Sequence, residues 1–342
     1  MTRETSAASA ATPENSSQSA RPAADIGSRL DTGQMRRMPA SRLLVTLAAE
    51  TIAQWPTLST AHSASTRGGD VIAPEAIHHL RIATRRLRAL IDVFAPWLKP
   101  RWHRKLKQEL HWLSHAMGPA RDADVLATTT LPALRTEHPD IDWPAVDAYV
   151  AKLRSDAHSQ ADEALLSERQ VALHRLLRRA FGIDEQGYTD VQAAKALRRP
   201  SRTPGKRPRA MAKHARDVIR VRYIALFPDC RQLAMLDTDQ LHALRVRIKK
   251  ARYSAEALTP WLRKAIRTPY QDTLRAAQNL LGQLNDAVVA QQACEAMPLS
   301  QAQRDVLTGR LDTFIVNATS RAAHVLCRLP DAESLERGIR KR

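Results

Sequence analysis

The 342-residue chain carries 53 Lys and Arg residues against 35 Asp and Glu residues, and the resulting formal charge of +18 at pH 7 indicates a polyanionic partner. Only 4% of the residues are aromatic and only 11 are Gly, a composition that favours helices over strands. No apolar run approaches the roughly 20 residues that a membrane-spanning helix needs, so we expect no membrane partner. Three widely spaced cysteines, Cys230, Cys294 and Cys327, are expected in the core of a reduced, cytoplasmic protein.

The predicted helices follow one another with few interruptions. Residues 1–39 are polar and of low complexity, and we expect a disordered tail there. Proline, glycine and serine divide the remainder into segments with helical periodicity. The predicted helices cover 41–55, 74–94, 101–117, 143–181, 210–227, 238–258, 261–281, 285–297 and 301–328, and another begins near Arg121. No segment alternates with period two, so the sequence predicts an all-α protein.

A linker is predicted at residues 198–209, which contain three prolines, one glycine and many charges. It would divide a domain at 40–329 into a first half, 40–197, and a second half, 210–329. The remaining residues, 330–342, are predicted to be a charged tail.

One motif occurs twice, at a constant offset of 164 residues. The offset pairs His78 with His242, Arg81 with Arg245, Arg85 with Lys249, Arg88 with Arg252, Pro96-Trp97-Leu98 with Pro260-Trp261-Leu262, Gly118 with Gly282, and Asp122-Ala123 with Asp286-Ala287. An ungapped offset over about fifty residues is hard to attribute to chance. The sequence therefore predicts two copies of one helical unit, related by a pseudo-twofold axis.

Each copy of the motif predicts a helix with one cationic face and one apolar face. The cationic faces carry His78, Arg81, Arg85 and Arg88 in the first copy and His242, Arg245, Lys249 and Arg252 in the second, flanked by Arg86 and Lys250. Apolar residues such as Leu80, Leu87 and Leu244 occupy the opposite faces. Solvated helix faces usually mix charges of both signs, so faces this one-sided indicate that the missing anion is a ligand.

The helix after the first motif extends the predicted basic surface. Arg104, Lys107 and His111 share one side of it, and the offset places Arg275 at the position of His111. His174 and His324, each followed by an Arg four residues later, are weaker candidates for the same surface. Solvated surface or non-specific adhesion to polyanions is the alternative interpretation of the whole array.

The duplicated His-x-x-Arg-x-x-x-Arg/Lys-Arg/Lys-x-Arg helix resembles the hallmark of the CHAD family, the conserved histidine α-helical domain. Two further segments are similar to the family, the glycine motif in Gly118–Val125 and Gly282–Asp286 and the run Lys249–Tyr253. Pro119 and Ala251 depart from the family pattern. The resemblance covers residues 40–329.

The resemblance implies two four-helix bundles with a basic groove or pore between them. It also implies binding of inorganic polyphosphate and, in bacteria, residence on cytoplasmic polyphosphate granules, where other granule proteins are further candidate partners. We expect no cofactor, and the absence of a repeated carboxylate cluster or an activated nucleophile favours a protein without catalytic activity. The expected binding residues are His78, Arg81, Arg85, Arg86, Arg88, Arg104, Lys107, His111, His242, Arg245, Lys249, Lys250, Arg252 and Arg275.

The same residues are also compatible with metal binding, phosphate hydrolysis or nucleic-acid binding. The two histidines could be metal ligands, although each is surrounded by arginines. Asp122 and Asp124 could hold magnesium in a phosphohydrolase, but only Asp122 recurs, as Asp286, which favours a helix-capping or Arg-orienting role. Nucleic acid is a further possible ligand, although the basic faces lack the aromatic residues on which single-strand binders stack bases.

Overall fold

A computed structural model describes residues 31–55, 74–198, 209–226, 230 and 232–338. Within these ranges the chain is built of helices, turns and loops and contains no β-strand, so the predicted all-α fold is confirmed. No helix in the described part of the chain is long and apolar enough to span a bilayer. The predicted loop at 57–73 and most of the predicted linker lie outside the described residues.

Thirteen α-helices are present in the described ranges. They are α1 (Thr32–Arg37), α2 (Ala40–Ala53), α3 (Pro74–Val93), α4 (Pro100–Ala116), α5 (Gly118–Val125), α6 (Leu131–Glu137), α7 (Trp143–Leu166), α8 (Glu168–Phe181), α9 (Arg209–Ile224), α10 (Thr238–Ala257), α11 (Lys264–Ala296), α12 (Gln301–Leu326) and α13 (Ala332–Gly338). A π-helical turn, Leu126–Thr130, joins α5 to α6.

Helices α3 and α10 carry the duplicated motif, and their first and last residues are each 164 positions apart. Each helix is followed by a short 3₁₀ turn at the same offset, Ala95–Trp97 and Thr259–Trp261. A capping box formed by Asp237 and Gln240 fixes the start of α10. The predicted apolar faces are buried, as Leu87 and Leu244 show, so the amphipathic pattern determines how both helices pack.

Two predicted helix boundaries are wrong. The stretch 143–181 is two helices, because Ser167 breaks the first and its hydroxyl accepts a hydrogen bond from the Gln170 amide to begin the second. Conversely, α11 runs through Gly282 without the predicted break. The offset partner Gly118 is followed by Pro119, which lacks an amide proton, whereas Gly282 is followed by Gln283, which keeps one.

The predicted tails are partly ordered. Residues 32–37 form α1, whose Met35 is buried in the core, and residues 332–338 form α13, whose Leu335 is buried as well. Polar composition concealed these short helices because a single apolar side chain anchors each of them. Residues 1–30 and 339–342 lie outside the described ranges.

The apolar core does not divide at the predicted linker. One large cluster of buried side chains contains residues of both halves, including Leu87 and Phe94 from α3 and Leu244 and Ile248 from α10. A smaller cluster joins residues 126–150 to residues 287–311. The two halves therefore share their core, and α3 packs directly against α10.

Candidate functional site

Three cavities follow one another along α10, and α3 also lines two of them. The central cavity, of about 400 Å³, is lined by His78, Arg81 and Arg85 of α3, Arg121 and Asp122 of α5, Arg245 and Lys249 of α10, and Gln278, Asn279 and Asp286 of α11, among others. Five of these side chains are Arg or Lys and two are carboxylates. The cationic faces of the two repeated helices thus meet in one cavity that is open to solvent.

The side cavity, of about 270 Å³, adjoins the central cavity at the later residues of α3 and α10. It shares Arg81, Arg85 and Lys249 with the central cavity and adds Arg88, Asp92, Ser114, Arg222, Lys250 and Tyr253. Because the early residues of both helices line one cavity and the later residues line the next, the two helices run in the same direction.

The end cavity, of about 280 Å³, adjoins the central cavity at the start of α10. Asp122 and Arg245 line both cavities, and the end cavity adds Asp239, His242 and Asn285. Its lining is less basic than that of the other two. The three cavities therefore adjoin one another through shared lining residues, and their positive charge is concentrated at the central and side cavities.

Two of the predicted binding residues, Arg85 and Arg252, make cation–π contacts with Tyr253. The Arg85 guanidinium lies over the tyrosine ring at 4.8 Å from its centroid, and the Arg252 guanidinium lies at 4.5 Å from the same centroid. Arg252 also pairs with Glu256, with Nε and Oε1 3.2 Å apart. Cation–π contacts of this kind stabilise a guanidinium that is partly removed from water. Burial nevertheless lowers the pKa of Arg85, so this cation is incompletely solvated.

Hydrogen bonds to residues of neighbouring segments orient three further arginines, two on α3 and one on α10. Arg81 Nη1 donates to the main-chain oxygen of Met117, 2.8 Å away, just after α4. Arg88 Nη1 donates to Ser114 Oγ at 3.2 Å. Arg245 Nη1 donates to Asn285 Oδ1 at 3.3 Å, and His242 Nδ1 lies 3.0 Å from the same oxygen. Each guanidinium has five donor protons, so these single contacts leave donors for a ligand.

The electrostatics of the central cavity show an excess of positive charge. Burial lowers the pKa of Lys249 to about 7, and repulsion from Arg245, Arg85 and Arg81 contributes. Burial, with Arg121 nearby, also lowers the pKa of His78. An anion that entered the cavity would stabilise all of these cationic forms at once.

The two carboxylates of the central cavity do not neutralise it. Burial raises the pKa of Asp286 and of Asp122, although Arg245 and Arg81 attract the ionised forms. Asp124, by contrast, lies on the far side of α5, where Arg154 donates to it at 2.7 Å and His158 lies 2.9 Å away. The Asp122 and Asp124 side chains therefore do not converge. In the described part of the chain no three His, Cys, Asp or Glu side chains are grouped so as to hold a metal.

Comparison with known proteins places this architecture in a family. Residues 56–295 match the CHAD domain. The chain belongs to the CHAD family. The crystal structure of the CHAD domain from the plant Ricinus communis is similar at a TM-score of 0.60 and 22% identity, over 84% of this chain and 92% of that one. PptA from Streptomyces chartreusis is similar at a TM-score of 0.59 and 18% identity, over 85% and 99% of the two chains. A search of curated proteins gave no match.

The CHAD domain brings most of the predicted binding residues together. His78, Arg81, Arg85, Arg88, His242, Arg245, Lys249 and Lys250 all line the three cavities. Arg252 lies beside them against Tyr253. Their grouping agrees with the predicted cationic faces, since each residue lies on the side of its helix opposite the buried apolar residues.

Five predicted binding residues lie elsewhere. Arg86 is buried and donates to Gln54 Oε1 at 3.1 Å, because its position on α3 faces α2. Lys107 pairs with Asp92 at 3.2 Å, and Arg275 pairs with Asp272 at 2.9 Å. Arg104 and His111 are exposed on α4, outside the lining of the three cavities. Arg104, Lys107 and His111 therefore lie outside the cavity linings, although Lys107 reaches the edge of the side cavity through Asp92.

Sequence reasoning missed several residues that line the cavities. Arg121 and Asn285 occupy equivalent positions after the two glycines, so the offset could have identified them. Arg222 of α9 carries no such signal, since its proximity to α3 results from tertiary packing alone. Asp122 and Asp286 were expected to orient an arginine, and each partly offsets the pKa decrease that burial imposes on Arg81 and Arg245 respectively.

Proposed function

We propose that the protein binds inorganic polyphosphate along the connected cavities of α3 and α10, and that it does so on cytoplasmic polyphosphate granules without catalysing a reaction. The observation that carries this proposal is the convergence of Arg81, Arg85, Arg121, Arg245 and Lys249 on one cavity. Membership of the CHAD family supports it. Each charge-assisted hydrogen bond contributes about 1.5–3 kcal/mol, so a few of them give tight binding.

Polyphosphate suits this geometry better than nucleic acid does. A flexible single chain of phosphates can follow connected cavities of about 270–400 Å³, which a duplex cannot enter. Tyr253 is the aromatic residue that lines the side cavity, and two guanidiniums already contact its ring. Bases therefore lack the free aromatic surface on which single-strand binders stack them.

The decisive test compares cations inside the cavities with cations outside them. We expect the triple variant Arg81→Gln, Arg245→Gln and Lys249→Gln to lose long-chain polyphosphate binding at physiological salt. The matched control, Arg104→Gln, Lys105→Gln and Arg275→Gln, replaces the same number of basic side chains at exposed positions outside the cavities and should bind nearly as the wild type does. Circular dichroism verifies that both variants stay helical. Equal loss in both variants would instead indicate non-specific adhesion.

Two further measurements separate the alternative functions. Duplex DNA or RNA, supplied at the same phosphate concentration, should fail to displace polyphosphate. Incubation of polyphosphate with the protein and magnesium or manganese should release no phosphate. Displacement would favour a nucleic-acid-binding protein, and metal-dependent release that Asp122→Ala abolishes would establish a hydrolase.

Granule residence needs its own experiment. A fluorescent fusion of the wild-type chain should coincide with polyphosphate stain in cells, and the triple cavity variant should be diffuse. If the wild-type fusion is diffuse in cells but the protein binds polyphosphate tightly in solution, the proposed binding stands and the proposed granule localisation is refuted.

A further inference from the structure

Lys249 occupies an unusual position between two cavities. Its side chain is half-buried and lines both the central and the side cavity. Arg81 and Arg85 of α3 and Arg245, one turn earlier on α10, all repel its positive charge. Among the described residues the Lys249 amine forms no ion pair that would compensate this repulsion.

The carboxylates near Lys249 do not return its pKa to the usual value for lysine. Asp286 of α11 attracts the ammonium form, and Asp122 of α5 is also close enough to interact with it. Burial raises the pKa of both carboxyl groups, so it opposes ionisation of the two carboxylates that could stabilise the ammonium group. Burial and the surrounding guanidiniums therefore dominate, and the pKa of Lys249 is lowered to about 7.

A neutral amine in a cavity rich in guanidiniums combines two chemical properties. An ordinary lysine, with a pKa of about 10.4, is neutral in roughly 1 of 2,500 molecules at pH 7. At a pKa of about 7, close to half of the Lys249 amines have a free electron pair at that pH. The arginines beside it bind phosphate groups. A reagent that joins a phosphate to an electrophilic carbon would therefore be held next to a nucleophile. Because the charge of the bound reagent raises the pKa of Lys249, the reaction should become faster as the pH rises above 7.

We propose that Lys249 is a site of covalent acylation by small acyl phosphates, which the guanidiniums of the central cavity capture by the phosphate group. The Nζ electron pair attacks the acyl carbonyl carbon, and an N–C bond forms. The C–O bond to the phosphate breaks, inorganic phosphate leaves, and the amine proton passes to the leaving phosphate or to water. The product is a neutral amide, which removes one cation from the cavity.

Acylation would also regulate polyphosphate binding. This consequence rests on the proposed function, whereas the acylation itself does not. A neutral, bulkier side chain between the central and side cavities removes a phosphate contact and narrows the passage. The acylated protein should bind polyphosphate at least tenfold more weakly than the free protein. Bound polyphosphate should in turn protect Lys249, because both ligands use the same arginines.

Lys250 provides an internal control, since it is adjacent in sequence, exposed, and lines only the side cavity. Full-length protein is incubated with acetyl phosphate at pH 7, then denatured and treated with isotopically heavy acetic anhydride. Mass spectrometry after digestion gives the light-acetyl fraction at each lysine. We expect Lys249 to be acetylated at least tenfold faster than Lys250. Equal rates would overturn the proposal.

A neutral acyl donor separates the reactivity of the Lys249 amine from the capture of phosphate by the arginines. N-acetoxysuccinimide has no phosphate, so it reports the reactivity of the amine alone. The ratio of acetyl phosphate labelling to N-acetoxysuccinimide labelling at Lys249 should fall at least threefold in Arg81→Gln or on addition of inorganic phosphate. An unchanged ratio would overturn capture by the arginines. Failure of polyphosphate to bind the untreated protein, with selective acetylation intact, would refute the proposed function and leave this proposal standing.

Discussion

The two copies of the motif have similar sequences, but their cations are held differently. In the second copy Asn285 accepts from Arg245 and contacts His242, and Glu256 pairs with Arg252. In the first copy Arg121 stands at the position of Asn285 and repels His78. The second copy is thus fixed by its own polar neighbours, while the first adds charge to the cavity. A sequence repeat preserves the position of a side chain but not its bonding.

Proline adds a structural difference between the copies. Pro119 follows Gly118, and the chain there divides into α4 and α5, whereas the equivalent stretch of the second copy continues as the single helix α11. The ends of α4 and α5 provide free main-chain groups, one of which accepts from Arg81. The first copy therefore holds its arginine through the backbone and the second holds its arginine through a side chain.

The largest expected effect tests whether the copies contribute equally to binding. Arg81→Gln and Arg245→Gln should each weaken polyphosphate affinity by about 10–100-fold, since each removes a charge-assisted hydrogen bond. Isothermal titration at fixed salt measures both losses. A large loss for one variant and none for the other would show that a single copy carries the site, with Arg104→Gln as the surface control.

The next effect concerns pH and distinguishes Lys249 from its offset partner Arg85, which stays charged. The pKa of Lys249 is about 7 in the free protein, and a bound polyanion raises it. Binding then takes up a proton, so affinity is highest below pH 7 and falls by up to about tenfold per pH unit above it. Titrations at pH 6.5, 7.5 and 8.5 measure this slope. Lys249→Arg should remove most of it, and the proton that binding adds to His78 accounts for the remainder.

Lys249 should also lower the stability of the free protein. Its folded pKa lies below the unfolded value, so the folded state binds fewer protons, and this group's contribution to stability rises with pH between about 7 and 10.5. Lys249→Met should therefore raise the free energy of unfolding by about 1–2 kcal/mol at pH 7 while weakening binding. Urea unfolding measures the gain. Exposed Lys250→Met should change little, and a loss of stability in Lys249→Met would contradict this interpretation.

The smallest expected effect comes from exchanging the residues that distinguish the copies. Arg121→Asn makes the first copy resemble the second and should weaken polyphosphate binding by about threefold to tenfold through loss of one cation. Asn285→Ala, which releases Arg245 without changing charge, should weaken binding by less than about fivefold. The same titration checks both. A larger effect of Asn285→Ala would mean that orientation of Arg245 matters more than the charge of Arg121.

The sequence predicted the parts of this molecule that depend on local periodicity. The buried faces of α3 and α10 and eight of the residues that line the three cavities follow from helical spacing. Arg86 lies only two residues before Arg88, yet it faces α2, since neighbouring positions on a helix are about 100° apart. Arg222 and the shared core depend on how distant helices pack, which no single segment specifies.

The shared core also has a thermodynamic consequence for ligand binding. The apolar faces of α3 and α10, around Leu87 and Leu244, are buried in one continuous core, so the cationic walls are held in place before any ligand arrives. Binding should then bury little new apolar surface and show a small change in heat capacity. Most of its free energy should come from released counterions, and affinity should decrease steeply and linearly with the logarithm of salt concentration. The folded chain thus maintains the repulsion between its cations permanently and leaves little reorganisation for the binding step.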